Sequence, residues 1–212
     1  MNRLLIAITS CDKHRAWQFA QRQTWIRDIP QKVSYRFFLG NPAAGNAEND
    51  EVFLDVPDDY LGLPLKTRGV SRWALEQGFN LLYKTDVDTL VLPPNLLDSG
   101  FEQYDYVGGL NTERPPVTFA SGGAGYCLSE KAMKLVATNT PWPEGGPEDV
   151  WVACVLKDNG ILPQSDPRFK FYPGSLLDKQ TISYHLTSVR GWLQPYSPDQ
   201  MFEKYSEVKG LS

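Results

Sequence analysis

Between Leu81 and Leu92 the chain is apolar at both ends and charged in the middle. Leu81-Leu82-Tyr83 runs into Lys84-Thr85-Asp86-Val87-Asp88, and Thr89-Leu90-Val91-Leu92 is apolar again. Side chains two apart on an extended chain share a face, so Asp86 and Asp88 would stand together. Carboxylates held that way repel unless a cation sits near them, and oxygen ligands of this kind suit Mg²⁺ or Mn²⁺. A solvated Asp turn at a strand end has the same spacing, and both readings remain open at this point. The apolar flanks weigh against the turn, because charges inside a buried region need a partner.

The segments around this motif alternate between strand and helix patterns. Residues 1–10 read as a buried strand ending in Thr9-Ser10, after which Asp12 would cap a helix running to Arg27 with Ala16, Phe19 and Ala20 on one face. A strand over 34–39 ends at Gly40, a Gly/Asn/Ala loop covers 42–49, and a short strand covers 52–56. A helix over 66–77, through Val70, Trp73 and Ala74, returns the chain to the acidic motif. Strand, helix and strand again imply parallel neighbours. Further on, short strands are expected over 104–107 and 125–128, then a helix capped by Ser129 and another over 147–159, with strands and turns in the tail.

With 212 residues and no linker or repeat, the economical reading is a single α/β domain over 1–212. The first half would supply a Rossmann-like sheet. In open α/β sheets ligands bind beyond the carboxyl ends of the strands, which is where Thr9, Ser10, Asp55, Asp86 and Asp88 fall. A net charge of −4 with scattered basic residues gives no nucleic-acid face and no anionic-membrane surface. Cys11, Cys127 and Cys154 cannot make a disulfide framework; their apolar surroundings read as buried thiols in a reducing compartment. Leu4 to Ile8 is too short for a membrane span or signal core, so the chain reads as soluble.

Other segments carry weaker signals. Ser121-Gly122-Gly123-Ala124-Gly125 lacks the residues of a P-loop and the spacing of a dinucleotide fingerprint; it fits close approach to a substrate, placed first, or a tight turn. Glu148-Asp149 opens an apolar helix after Gly145-Gly146-Pro147. The helix dipole alone favours acids there by about 0.3–1 kcal/mol, and a general base at a cleft mouth is the other reading. His185, in a short strand-like run, is a possible Mn²⁺ ligand, although a lone His in such a strand is more often structural. His14 reads as ordinary surface. Neither a nucleophile elbow nor paired zinc ligands are present.

Taken in order, several motifs resemble the β1,3-galactosyltransferase and Fringe-like glycosyltransferases, which have a GT-A fold. They are Arg22-Gln23-Thr24-Trp25, Phe38-Leu39-Gly40, Asp58-Asp59-Tyr60 with Leu63 and Lys66-Thr67, Trp73, Lys84 to Asp88, Gly122 to Ser129, Glu148 to Val152, and His185. The resemblance spans residues 4 to about 190 and implies a nucleotide-binding half over about 1–92 and an acceptor-binding half over about 93–212. It implies a UDP-hexose donor, Mn²⁺ or Mg²⁺, and transfer with inversion to a hydroxyl of a glycan or glycoprotein acceptor. It also implies Asp88 and His185 as metal ligands with Asp86 nearer the ribose, Asp149 as base, and Glu148 as an acceptor contact. Thr9, Ser10, Arg15, Asp55, Lys66, Lys84, Thr85 and Val87 become nucleotide contacts, and Gly122, Gly123 and Ala124 substrate contacts. Family members are usually longer, anchored in the Golgi and cross-linked by disulfides, and Val87 stands where a third Asp is common. A version without these features suits a cytosolic bacterial or large-virus enzyme, or a catalytic domain of a longer chain. The competing classes are a metal-dependent phosphohydrolase or nucleotidyltransferase, which would need more carboxylates near Asp86, and a non-catalytic sugar-binding module, which would need neither metal pair nor base.

Overall fold

Alternation along the central strands divides the interior into two apolar layers. In a computed structural model describing residues 2–41, 48–112, 117–142, 146–172, 174–186 and 197–210, strand β1 (Leu4–Thr9) sends Leu4, Ile6 and Ile8 into one layer. Leu5 and Ala7 enter the other. Such alternation on fully buried strands produces a sheet covered on both faces. The first layer is closed by α1 (Arg15–Gln23), the second by a helix over Leu63–Glu76.

In chain order the remaining elements are β2 (Ser34–Leu39), β3 (Glu51–Phe53), α2 (Leu63–Glu76), β4 (Leu81–Asp86), β5 (Thr89–Val91), α3 (Pro93–Leu97), β6 (Tyr106–Gly108), β7 (Leu110–Asn111) and β8 (Phe119–Ala120). They are followed by β9 (Tyr126–Ser129), α4 (Glu130–Thr138), α5 (Glu148–Asp158), β10 (Gln164–Ser165), β11 (Phe169–Lys170), β12 (Ser183–His185) and α6 (Asp199–Gly210). The main sheet has the order β10-β6-β9-β4-β1-β2-β3. Strands β3, β2, β1 and β4 are mutually parallel, and β9 runs antiparallel to both β4 and β6. The carboxyl ends of β1, β2, β4, β6 and β10 therefore open at one edge. This is the expected α/β architecture, a Rossmann-like mixed sheet flanked by helices.

Several elements differ from expectation. The helix drawn to Arg27 is broken into a 3-10 turn over Asp12–His14, α1, and a second 3-10 turn over Trp25–Asp28. Asp12 does not cap it. Ala16 and Phe19 face solvent, and Trp17, Gln18, Ala20 and Gln21 are buried instead. The buried glutamines donate to backbone and hydroxyl oxygens: Gln21 Nε2 to the Asp86 and Thr89 carbonyls, and Gln18 Nε2 to Ser10 Oγ. The tail also contains a helix, α6, seated through Met201. Cys127 is buried, whereas Cys11 and Cys154 are half exposed, and all three thiols are free. Ser129 caps α4 as expected, accepting from the Ala132 amide at 3.2 Å. Most of the 42–49 loop and Gly145 lie outside the described residues.

Candidate active site

At the shared carboxyl edge a cleft of about 440 Å³ lies between β1, β4, the start of α2 and β12. Thr9, Ser10, Lys66, Asp86, Val87, Asp88 and His185 line it. Register explains the meeting. Thr9 pairs with Asp86 across β1 and β4, and the Val87 amide donates to the Thr9 carbonyl at 3.1 Å. β5 leaves the main sheet and pairs antiparallel with β12, setting His185 opposite Thr89. The Leu186 amide then donates to the Asp88 carbonyl at 3.0 Å, which brings His185 Nδ1 to 3.6 Å from Asp88 Oδ1.

The rest of the cleft is built from residues for which the sequence suggested no site role. Cys11, Lys13, His14, Asp58, Asp59, Tyr60 and Leu63 complete its wall. The Asp58 carboxylate accepts from the Gly40 amide at 2.6 Å, the Asp12 amide at 2.9 Å and Lys66 Nζ at 2.7 Å. Burial alone would raise its pKa; the Lys66 ammonium and the two amides outweigh that and hold it below the usual carboxylate value. Lys66 Nζ also donates to the Ser10 carbonyl at 2.6 Å. His14 is not plain surface: a hydrogen bond with Cys11, then the charges of Asp88 and Asp86, raise its pKa. Thr9 Oγ1 is buried in the cleft wall without a hydrogen-bond partner among the described residues, and so is available to a polar ligand.

Four expected nucleotide contacts, Arg15, Asp55, Lys84 and Thr85, do not line this cleft. Arg15 turns to the sheet edge, where its guanidinium donates to Glu51 and, at 3.0 Å, to Asp12. Asp55 is exposed beyond β3 and does not line the cleft; Asp58 takes that place. Thr85 is fully buried on the opposite face of β4 from Lys84, as strand alternation requires.

Lys84 lies behind the cleft and is almost completely buried. Its Nζ donates to Asp86 Oδ1 at 2.7 Å, to Glu148 Oε1 at 2.6 Å and to the Gly122 carbonyl at 3.4 Å. Burial alone would depress its pKa, but the two carboxylates reverse this and keep it charged. Glu148 is itself buried and its Oε2 accepts from Tyr126 at 2.9 Å and Thr67 at 3.2 Å. With both oxygens engaged, Glu148 is a buried counterion and not an open acceptor contact. Asp149, the next residue, is partly exposed; its Oδ2 accepts from the Gly122 amide at 2.9 Å. Burial, and then the adjacent Glu148 charge, raise its pKa to about 6. A carboxylate tuned towards neutrality is suited to exchange protons with a substrate.

The glycine segment resolves to a tight turn. Gly122 and Ala124 are buried, and neither they nor Gly123 line the cleft. The turn needs glycine because other groups press on it. A Cβ on Gly122 would meet Glu148 Oε1 at 2.3 Å, one on Gly123 would meet His185 Nε2 at 2.8 Å, and Gly125 has φ +84°.

Of the three expected metal ligands, Asp88 and His185 come together, whereas one Asp86 oxygen is engaged by Lys84. No set of three acid, thiol or imidazole side chains with ligand geometry exists among the described residues. One carboxylate and one imidazole still fit Mn²⁺ or Mg²⁺ bound largely through substrate phosphates and water.

This sheet order, with its cleft at the carboxyl edge, defines a GT-A glycosyltransferase fold. Solved structures sharing it include the galactosyltransferase LgtC in complex with donor and acceptor sugar analogues, at 12% identity and TM-score 0.55 over 96% of this chain and 95% of that one. A glycosyltransferase involved in glycosylation of the major capsid of PBCV-1 aligns at 10% identity and TM-score 0.55, covering 97% of this chain and 100% of that one. GlyE of Streptococcus pneumoniae TIGR4 aligns at 10% identity and TM-score 0.52 over 99% of this chain, which spans 62% of GlyE. No family model matches the chain, and no curated protein matches it significantly. Among the described residues no helix is long and apolar enough to cross a membrane.

Proposed function

We propose that this chain is a glycosyltransferase that moves a hexose from a UDP-sugar to a hydroxyl of a glycan or glycoprotein. The observation carrying this reading is the convergence of Thr9, Ser10, Asp86, Asp88 and His185 on one cleft of a GT-A fold. The ordered motifs that resemble β1,3-galactosyltransferases and Fringe-like enzymes support the UDP-sugar donor, and LgtC, solved with donor and acceptor sugar analogues, supports a two-substrate site. A phosphohydrolase is less well supported, since no third metal-ligating side chain joins Asp88 and His185 among the described residues.

In this mechanism Asp88 and His185 would hold Mn²⁺ or Mg²⁺, which would supply Lewis-acid stabilisation of the departing diphosphate. Asp86, oriented by Lys84, receives the ribose side of the donor, and Thr9 Oγ1 provides a further polar contact. Asp149 removes the proton from the acceptor hydroxyl as that oxygen attacks the anomeric carbon, and attack opposite the leaving group inverts the centre. Lys84, kept charged by Asp86 and Glu148, stands behind these groups.

Titration calorimetry with UDP tests the donor site. Binding should be far tighter with Mn²⁺ than with EDTA, and Asp88→Ala should abolish the difference. Equal affinity under both conditions would remove the metal assignment, and a panel of UDP-hexoses would then identify the sugar.

A further inference from the structure

The same sheet edge carries a second pocket. β6 and β10 are parallel to each other, and β6 is parallel to β4 through their shared antiparallel neighbour β9, so their carboxyl ends open on the same side as Asp86. Ser165, Gly108, Tyr126 and Lys84 stand in one row across the four strands. Beyond the β6 and β10 ends lies a pocket of about 270 Å³, walled by Gly109, Ser165, Lys170, Phe171, Tyr172 and Leu176 among others. It shares no residue with the first cleft.

Asp149 lines neither pocket but is linked to both through the turn at Gly122, whose carbonyl accepts from Lys84. The turn leading into β9 lies between β4 and β6, and it carries Gly122, whose amide donates to Asp149. One residue earlier, the Ser121 amide donates at 2.8 Å to the carbonyl of Gly109, in the wall of the second pocket. A base that serves two substrates must lie where they meet. With the nucleotide on the β1 and β4 side, the hydroxyl to be deprotonated has its entrance on the β6 and β10 side.

The lining matches the chemistry of a sugar ring. Phe171 and Tyr172 form a tilted pair with centroids 4.1 Å apart, and Leu176, 80% exposed, extends the apolar wall. Gly109 admits this wall, since a Cβ there would lie 2.9 Å from the Phe171 ring. Ser165 and Ser175 add hydroxyls to the lining. The one ammonium, on Lys170, is paired with Asp178 at 3.3 Å, which disfavours an anionic ligand. A pyranose presents an apolar C–H face and a rim of hydroxyls, which this lining complements.

We infer that this pocket is the acceptor site, and that the acceptor ends in a neutral pyranoside ring lying against Phe171, Tyr172 and Leu176. The inference rests on the transferase reading, and the test separates the two. Saturation-transfer NMR on the full chain, with methyl β-D-glucopyranoside and methyl β-D-galactopyranoside as probes, should show transfer to ring C–H protons of at least one. The signal should persist when UDP and Mn²⁺ fill the first cleft. Tyr172→Ala should weaken glycoside binding about tenfold, the scale of one lost aromatic contact. Leu176→Asp, at a solvent-exposed position that does not threaten folding, should weaken it as well, with UDP affinity unchanged in both variants. Absence of transfer from both probes, displacement of the glycoside by UDP, or an unchanged signal in Leu176→Asp would each overturn the assignment while leaving the UDP site standing. Glycoside binding without UDP binding would support the pocket and remove the donor reading.

Discussion

Lys84 and Glu148, sixty-four residues apart in sequence, form a buried ion pair at 2.6 Å, and the same ammonium holds Asp86 at 2.7 Å. The pair joins the wall of the first cleft to the helix that presents Asp149. Its geometry satisfies every oxygen of Glu148, which is what makes burial of the two charges tolerable.

Removing one partner should therefore be costly. Lys84→Met is expected to destabilise the fold by about 3–5 kcal/mol, because Glu148 would remain buried and uncompensated. Glu148→Gln should cost less, since Lys84 retains Asp86, and adding it to Lys84→Met should recover part of the loss. Denaturant unfolding of the three variants measures this, and strict additivity of the two changes would contradict the coupling.

Asp149 should govern the acid limb of activity. With its pKa raised to about 6, the carboxylate becomes a competent base only as pH rises through that value. Glu148→Gln removes the adjacent negative charge and should move the limb to lower pH. Asp149→Asn should retain UDP binding and lower transfer by about 10²–10⁴-fold, the range for loss of a general base. Linkage has the opposite direction: the folded protein binds the Asp149 proton more tightly than the unfolded chain, with its ordinary value of 3.8, so this residue's contribution to stability declines between about pH 4 and 6. A pH–rate profile without a limb near 6 would exclude Asp149 as the base.

Asp58 titrates in the other sense. Its folded pKa lies below 3.8, so its contribution to stability is complete above that value and is lost as pH falls through the folded one. Asp58→Asn, which keeps the shape and weakens the Lys66 contact, should flatten acid unfolding below pH 4, a change readable by circular dichroism.

Gly123→Ala should act on the site through His185. The added methyl would lie 2.8 Å from Nε2, so the imidazole must move away. Mn²⁺-dependent UDP binding should weaken while stability changes little. Gly210→Ala, with open space around it and a helical backbone, is the control and should bind UDP normally.

Much of the site was legible because it is built from strand ends. Apolar runs stopping at Thr9-Ser10 and at Lys84-Thr85-Asp86-Val87-Asp88 place those residues at a sheet edge by periodicity alone, and the acidic start of α5 is equally local. Less local facts were misread. Asp55 and Asp58 both follow β3, and choosing between them required knowing that the Gly40 and Asp12 amides and Lys66 converge on Asp58. The apolar face assigned to α1 omitted Gln18 and Gln21, which are buried because backbone carbonyls and a hydroxyl need their amides. His14 looked like surface because nothing in its own segment reports that Asp86 and Asp88 lie across a cleft from it.

The order of apolar runs and acidic breaks was enough to specify an α/β sheet with polar strand ends gathered at its carboxyl edge, because burial and strand alternation act within a few residues of each other. Tertiary structure decided which charge answers which. Glu148 and Asp149 are adjacent acids with the same local signature, yet one is locked by Lys84, Tyr126 and Thr67 and the other is partly exposed with a raised pKa. That difference depends on distances between groups far apart in the chain, and only the packing of α5 on the sheet sets them.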